Sequence, residues 1–110
     1  MNDRTLLELA ARAAGIKARW FRVNQWRQVG GHTMRTGQED VFGTHHSKPW
    51  NPLTDDGDAL RLAVLLNLEI HSPQSDPTVM FRTAEHDVFY QDTCIRRAIV
   101  RAAAEIGKSM

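Results

Sequence analysis

The feature that most constrains the fold of this chain is a change in the period of its hydrophobic residues. Three segments are predicted to be helices: residues 3–14 and 93–106 have the period of an amphipathic helix, and residues 55–67 are apolar on almost every side. Between them, apolar and polar residues alternate as in half-buried strands, most clearly over residues 16–23. The connections are too short for the crossovers of a doubly wound parallel sheet. The pattern therefore predicts an α+β fold, a small α/β sandwich in which about three helices pack on a short, mainly antiparallel sheet.

The length of the chain predicts a single domain. Its 110 residues, 42% of them hydrophobic and 25% charged, can enclose one core. Short strands are predicted at residues 68–71 and 78–82, on either side of the turn SPQSDP, and residues 88–90 could add another. Residues 24–48 are punctuated by glycines that could turn a hairpin. We expect this segment to be variable, and it could be mobile.

Polar residues and glycines mark the predicted helix ends. Asp3 is a candidate N-cap for the first helix, and Gly15 is placed to end that helix. Gly107 is predicted to end the last helix in the same way. The second helix is apolar on almost every side, and we therefore predict that other elements cover most of it.

The stretch WNPLTDDGDALRLA, residues 50–63, has three interpretations. A calcium loop of the EF-hand type needs a glutamate that closes the ring, and this stretch contains none. A catalytic pair of carboxylates needs a partner that separates their pKa values, which the sequence does not show. As a helix start, however, Asp55 supplies the N-cap, while Asp56 and Asp58 complement the positive end of the helix dipole. We interpret the stretch as a helix start.

Three strings carry a resemblance to a known family. The strings LLELAARAAGI, WNPLTDDGDALRLAVLL and CIRRAIVRAAAEIG closely resemble the phage ABA sandwich domain family, whose members are small proteins of bacteriophages and prophages. Residues 24–48 and about 72–90 contain no motif that aligns. The resemblance implies an α/β sandwich and a phage or prophage origin. Because the family carries no established biochemical activity, it transfers no functional residue to this chain.

Basic and aromatic residues alternate between residues 17 and 35, a region without acidic residues. The candidate residues for binding nucleic acid or another anion are Lys17, Arg19, Arg22, Arg27 and Arg35, with Trp20 and Trp26. Such residues can follow a phosphate backbone and stack on bases. The interpretation that we favour is a strand whose aromatic rings enter the core while its arginines remain in water. A nucleic-acid or nucleotide-binding module is the alternative.

Neither a metal site nor a catalytic site is predicted. The spacing of the five histidines matches no metal-binding motif, so surface histidines are the default. Cys94 lies beside Thr93 at the start of the last predicted helix, and His86 is a conceivable base for it, but one cysteine with one histidine is a weak catalytic pair. We predict no catalytic, cofactor-binding or metal-binding residue, no cofactor, and no enzymatic activity.

The overall charge does not indicate a nucleic-acid or membrane partner. The formal net charge is +1, the single cysteine suits a reducing compartment, and charged residues interrupt the apolar N-terminal run. We therefore expect a protein of the host cytoplasm without a membrane partner. The predicted function is that of a non-enzymatic phage accessory protein that binds or modulates a host component. An unknown host protein is the expected partner, and the oligomeric state stays open.

Overall fold

A computed structural model describes residues 2–45, 47–71, 77–83 and 87–110. The described residues form three helices and two antiparallel sheets of three strands each. The elements are α1 (Asp3–Ala14), β1 (Arg19–Val29), β2 (His32–His45), β3 (Lys48–Pro49), α2 (Asp56–Leu65), β4 (Glu69–His71), β5 (Thr78–Arg82), β6 (Asp87–Gln91) and α3 (Ile95–Lys108). The predicted α+β fold is confirmed. Of the predicted turn SPQSDP, residues 72–76 lie outside the described residues.

The chain, predicted as a single domain, divides by its internal contacts into two compact units. The helical unit consists of Met1–Lys17 and Asn51–Met110, and the hairpin unit is Ala18–Trp50. In the helical unit, β5 lies between β4 and β6, and α3 packs on β5 and β6. Helices α1 and α2 both contact α3. The core of this unit is therefore centred on α3.

The contact between α1 and α3 is made by small residues. Ala10 of α1 and Ala98, Ala102 and Ala103 of α3 are completely buried. Gly107, which was predicted to end α3, instead lies buried inside its last turn, and that prediction is wrong. The reason is steric, because a Cβ added at Gly107 would collide with the backbone carbonyl oxygen of Leu9. The glycine permits the two helix backbones to touch.

The ends of α1 are set by Asn2 and Gly15. The side chain of Asn2 accepts a hydrogen bond from the Thr5 N–H at 2.9 Å, so Asn2 is the N-cap and the prediction of Asp3 is wrong. Asp3 lies in the first turn, where it forms an ion pair of 3.0 Å with Arg97 of α3. Gly15 has a φ of 70° and ends the helix as predicted.

The stretch before α2 is a helix start, as predicted. Asp55 is the N-cap, and its carboxylate accepts the Asp58 N–H at 2.8 Å. The carboxylate of Asp58 in turn accepts the Asn51 N–H at 3.0 Å, which ties the preceding chain to the helix. Asp56 forms an ion pair of 2.6 Å with Arg96 of α3. All three carboxylates thus have structural partners.

The prediction that α2 is mostly covered is wrong. Ala59, Leu62 and Ala63 are buried, whereas Leu60 and Val64 are 59% and 72% exposed. The buried residues are spaced at i, i+3 and i+4, so they form one stripe along the helix. Since one such stripe faces the rest of the unit, the remaining apolar residues of α2 face solvent.

The hairpin unit is built from one long strand pair. β1 has 11 residues and pairs along its length with β2, which has 14. Gly30 and Gly31 form the two-residue turn with φ values of 56° and 83°, as a type I′ hairpin turn requires. Residues 24–48 are thus largely strand, while their variability and mobility stay predictions.

At the base of the hairpin, the end away from the glycine turn, the ring centres of Trp20 and Trp50 lie 4.8 and 6.1 Å from that of the buried Phe42.

We predict that Gly107→Ala destabilises the protein by about 2 kcal/mol, because the new methyl group forces α1 and α3 apart. Helix propensity alone would favour alanine by about 1 kcal/mol. Thermal and urea unfolding followed by circular dichroism measure the effect.

Gly57→Ala, in the first turn of α2, is the matched control. Its new Cβ meets only the side-chain atoms of Asp55 and Arg61, at 3.1 Å or more, and we expect a change below about 1 kcal/mol. Equal stability of the Gly107 variant and the wild type would contradict the steric argument.

Candidate functional site

The basic and aromatic residues singled out from the sequence fall in different environments. Lys17 lies outside the hairpin, in the helical unit. The other six candidates lie on the two long strands of the hairpin unit: Arg19, Trp20, Arg22, Trp26 and Arg27 on β1, and Arg35 on β2. The structure therefore brings six of the seven residues together on one β-hairpin.

At the base of the hairpin, these residues have structural partners. Trp20 is half-buried and packs on Phe42, so its ring belongs to the small core of the unit. The guanidinium of Arg19 lies 4.9 Å from the ring centre of Phe21. Arg22 lies 3.5 Å from the carboxylate of Asp40. This half of the hairpin resembles the half-buried strand that we favoured from the sequence.

The outer half of the hairpin is different, because every residue from 24 to 36 is exposed. Trp26, Met34 and Val29 are exposed by 61%, 54% and 49%. Among the residues that the structure describes, Arg27 and Arg35 form no ion pair. Large apolar side chains and arginines without an ion pair thus share one exposed strand pair about 20 Å long.

The strand register sorts these side chains onto two faces, since directly opposite residues of an antiparallel pair lie on the same face. We call one of them the Trp26 face, and it carries Asn24, Trp26 and Gln28 from β1 opposite Gln38, Arg35 and Thr33 from β2. The other face carries Gln25, Arg27 and Val29 opposite Gly37, Met34 and His32. The Trp26 face is therefore polar, basic and aromatic, and the other face is more apolar.

A β-bulge sets this arrangement. The pairing is regular from the base as far as Gln25. The next residue, Trp26, pairs with Arg35, which leaves Thr36 as an extra residue on β2. In a regular ladder Arg35 would lie opposite Arg27, and two like charges at opposite positions repel each other. The bulge therefore places the two arginines on different faces and puts Arg35 beside Trp26.

Positive charge is concentrated in the hairpin unit. Residues 18–50 contain five Lys or Arg against two Asp or Glu, which leaves nine against eleven for the rest of the chain out of totals of 14 and 13. The near-neutral net charge of the chain therefore combines a positively charged hairpin unit with a negatively charged helical unit. The carboxylates of Asp56 and Asp58 are engaged with arginines of their own unit.

The helical unit contains a second candidate, a groove of about 320 Å³. Its lining residues are Leu6, Tyr90, Asp92, Arg97, Arg101, Ala104 and Glu105. Arg101 forms an ion pair of 3.3 Å with Asp92 and lies 5.2 Å from the ring centre of Tyr90. The charged groups of the groove thus bind one another and link α3 to the end of β6.

Two groups in the groove have shifted pKa values. Partial burial would raise the pKa of Asp92, but the Cys94 backbone N–H and the Arg101 guanidinium outweigh this effect and hold it below the usual 3.8. Partial burial, together with the carboxylate of Glu105, raises the pKa of the Tyr90 phenol above its usual value. A carboxyl group whose pKa is lowered by a hydrogen bond and a neighbouring arginine is typical of a structural ion pair.

Of the catalytic pair considered from the sequence, the structure describes only Cys94. Cys94 is the half-buried residue before α3, and its side chain makes no capping hydrogen bond. Its proposed partner, His86, lies outside the described residues, as does His46. Among the described residues, no three His, Cys, Asp or Glu side chains are grouped as a metal site would require. The Tyr90 and Arg101 pair was missed, because only the spacing of Arg97 and Arg101 along the helix was visible.

We predict that Asp92→Asn reduces the stability of the protein by about 1 kcal/mol at neutral pH, since it removes the charged partner of Arg101. A carboxyl group whose folded-state pKa is lowered stabilises the fold above its unfolded-state pKa, and this contribution is lost as the pH falls through the lower, folded-state value. The difference between wild type and variant should therefore shrink as the pH falls below 3.8 and through the lower, folded-state pKa of Asp92. Urea unfolding from pH 7 to pH 2 measures it.

Glu69→Gln is the control, because Glu69 is an exposed carboxylate whose partners, His71 at 3.7 Å and Arg82 at 3.9 Å, are exposed as well. Because exposed ion pairs contribute little to stability, the free energy of unfolding of this variant at neutral pH should be close to that of the wild type. A constant difference between wild type and Asp92→Asn over the whole pH range would show that the charge of Asp92 is not responsible.

Compared with protein-family models, with curated proteins and with solved structures, the chain matches none of them. Within the described residues, none of the helices has the length and apolar character needed to cross a membrane.

Proposed function

We propose that the chain is a non-enzymatic accessory protein of a phage or prophage, and that it binds a component of the host cytoplasm through the outer half of its β-hairpin. The phage origin is supported by the resemblance of the three sequence strings to the phage ABA sandwich domain family. The use of the hairpin is supported by the structure of residues 24–36.

The observation that carries the proposal is the exposure of Trp26, Val29 and Met34 on a strand pair that also holds Arg27 and Arg35. Tryptophan and arginine are the side chains most enriched at binding hot spots. A hairpin of two strands gains little stability from residues that pack on nothing. Large apolar side chains at such positions are therefore better explained by a partner than by the fold of the chain itself.

The polar groove of the helical unit supports the non-enzymatic part of the proposal. In this groove the Asp92 carboxylate forms an ion pair with Arg101 of α3. Arg97 of α3 forms a second ion pair, with Asp3 of α1. General acid or base catalysis needs a group whose pKa lies near the working pH, whereas the pKa of Asp92 is moved away from it. The groove thus joins α1, β6 and α3 by ion pairs.

We predict that shortening the hairpin abolishes binding and leaves the helical unit folded. In the variant, an Asn-Gly turn replaces residues 25–37, so that Asn24 and Gln38 remain a strand pair at the new end. Tagged wild type and variant are each used to capture components from bacterial lysate, and the bound protein and nucleic acid are quantified. A component captured in stoichiometric amount by the wild type should be absent from the variant.

The matched control replaces Leu60 and Val64 on α2 by serine, because these side chains are also large, apolar and exposed. This control should capture the component as the wild type does. Capture by the shortened variant, or its loss only from the α2 control, would refute the assignment of the hairpin. Circular dichroism and thermal unfolding verify that both variants are folded.

A further inference from the structure

The first step of the inference concerns the ring of Trp26. With 61% of its surface in water, its indole offers an open face for stacking, unlike that of Trp20, which packs on Phe42. Stacking on an aromatic ring is the main source of affinity for unpaired bases, and it works for any base sequence.

The second step concerns the residue opposite Trp26. Arg35 is its direct partner in the strand register, so their Cβ atoms are about 5 Å apart. Among the described residues Arg35 has no carboxylate partner, and a guanidinium can hold a phosphate by two hydrogen bonds. A nucleotide carries its base and phosphate close together, so one nucleotide can reach both side chains.

Amide side chains flank the ring on the same face. Asn24 and Gln28 lie two residues before and after Trp26, at intervals of about 6.8 Å along β1. Gln38 donates a hydrogen bond of 3.0 Å to the Asn24 side-chain oxygen, and this fixes the orientation of the amide. The Asn24 amide nitrogen remains as a donor, and such donors pair with the edges of bases.

The number of arginines without an ion pair indicates whether the Trp26 face would bind a single strand or a duplex. Only Arg35 on the Trp26 face is an exposed arginine without an ion pair among the described residues, since Arg22 lies beside Asp40. Duplex binding depends mainly on many phosphate contacts, whereas single strands are held by stacking with fewer charges. A single open indole can stack only on a base that is not already stacked within a duplex.

We infer that the Trp26 face binds single-stranded nucleic acid, with one base stacked on Trp26, a neighbouring phosphate on Arg35 and base edges on Asn24 and Gln28. The inference rests on the proposed function, because it identifies the component that the hairpin binds.

The test measures the fluorescence anisotropy of labelled oligonucleotides of about 20 nucleotides, single-stranded or annealed to their complement, on titration with the full-length protein. We expect the single strand to bind more tightly than the duplex and to lose affinity between about 50 and 200 mM salt. Trp26→Ala should weaken binding about tenfold or more. Arg35→Ala should weaken it about fivefold and lower the salt dependence by roughly one phosphate contact.

Arg27→Ala is the matched control, because Arg27 is also an exposed arginine but lies on the other face of the same hairpin. The affinity of the Arg27→Ala variant for the single strand should stay within about twofold of that of the wild type. Tighter binding of the duplex, an unchanged affinity of Trp26→Ala, or equal losses in both arginine variants would overturn the inference. If the wild type binds neither oligonucleotide while the hairpin still captures a host protein, this inference fails and the proposed function stands.

Discussion

The helical unit depends on the direct contact of two helix backbones. Short side chains on both α1 and α3, with Gly107 at the tightest point, allow the helices to approach until the carbonyl of Leu9 touches the α3 backbone. Close approach increases the number of dispersion contacts, each of them weak. α3 also contacts α2, β5 and β6, so α1, α2 and two of the three strands of the unit pack directly on it.

Three arginines of α3 reinforce this central role. Arg96 reaches Asp56 at the start of α2, Arg97 reaches Asp3 at the start of α1, and Arg101 reaches Asp92 after β6. Each pair is partly exposed and contributes little alone. Together they connect one helix to three separate elements, and Asp3 and Asp56 occupy first turns, where a negative charge also complements the helix dipole.

The elements of the fold were predictable where the signal is local. Asp55 and Gly15 mark their helix ends because capping depends on a few neighbouring residues, and the antiparallel strands follow from alternation. Gly107 was misinterpreted, because a glycine that ends a helix and one that admits a neighbouring backbone look the same in a sequence. The exposure of Leu60 on α2 was missed for a similar reason, since the hydrophobic pattern of a helix does not reveal how many elements pack on it.

The proposed binding surface could be predicted only in part from the sequence. Trp20 and Trp26 occur in similar contexts, each near arginines, but one ring contacts Phe42 and the other faces water. The difference depends on which pairs lie at the base of the hairpin. The position of Arg35 depends on a one-residue bulge that alternation cannot indicate.

The place of β1 at the edge of its sheet limits how copies of the chain can associate. None of the strands that the structure describes pairs with its outer side, and an open edge of 11 residues can pair with a strand of another molecule. However, β1 contains three arginines and no acidic residue. Two copies aligned edge to edge would bring arginines together in a narrow space, so the charges that suit an anionic partner also oppose polymerisation of the protein through its own hairpin.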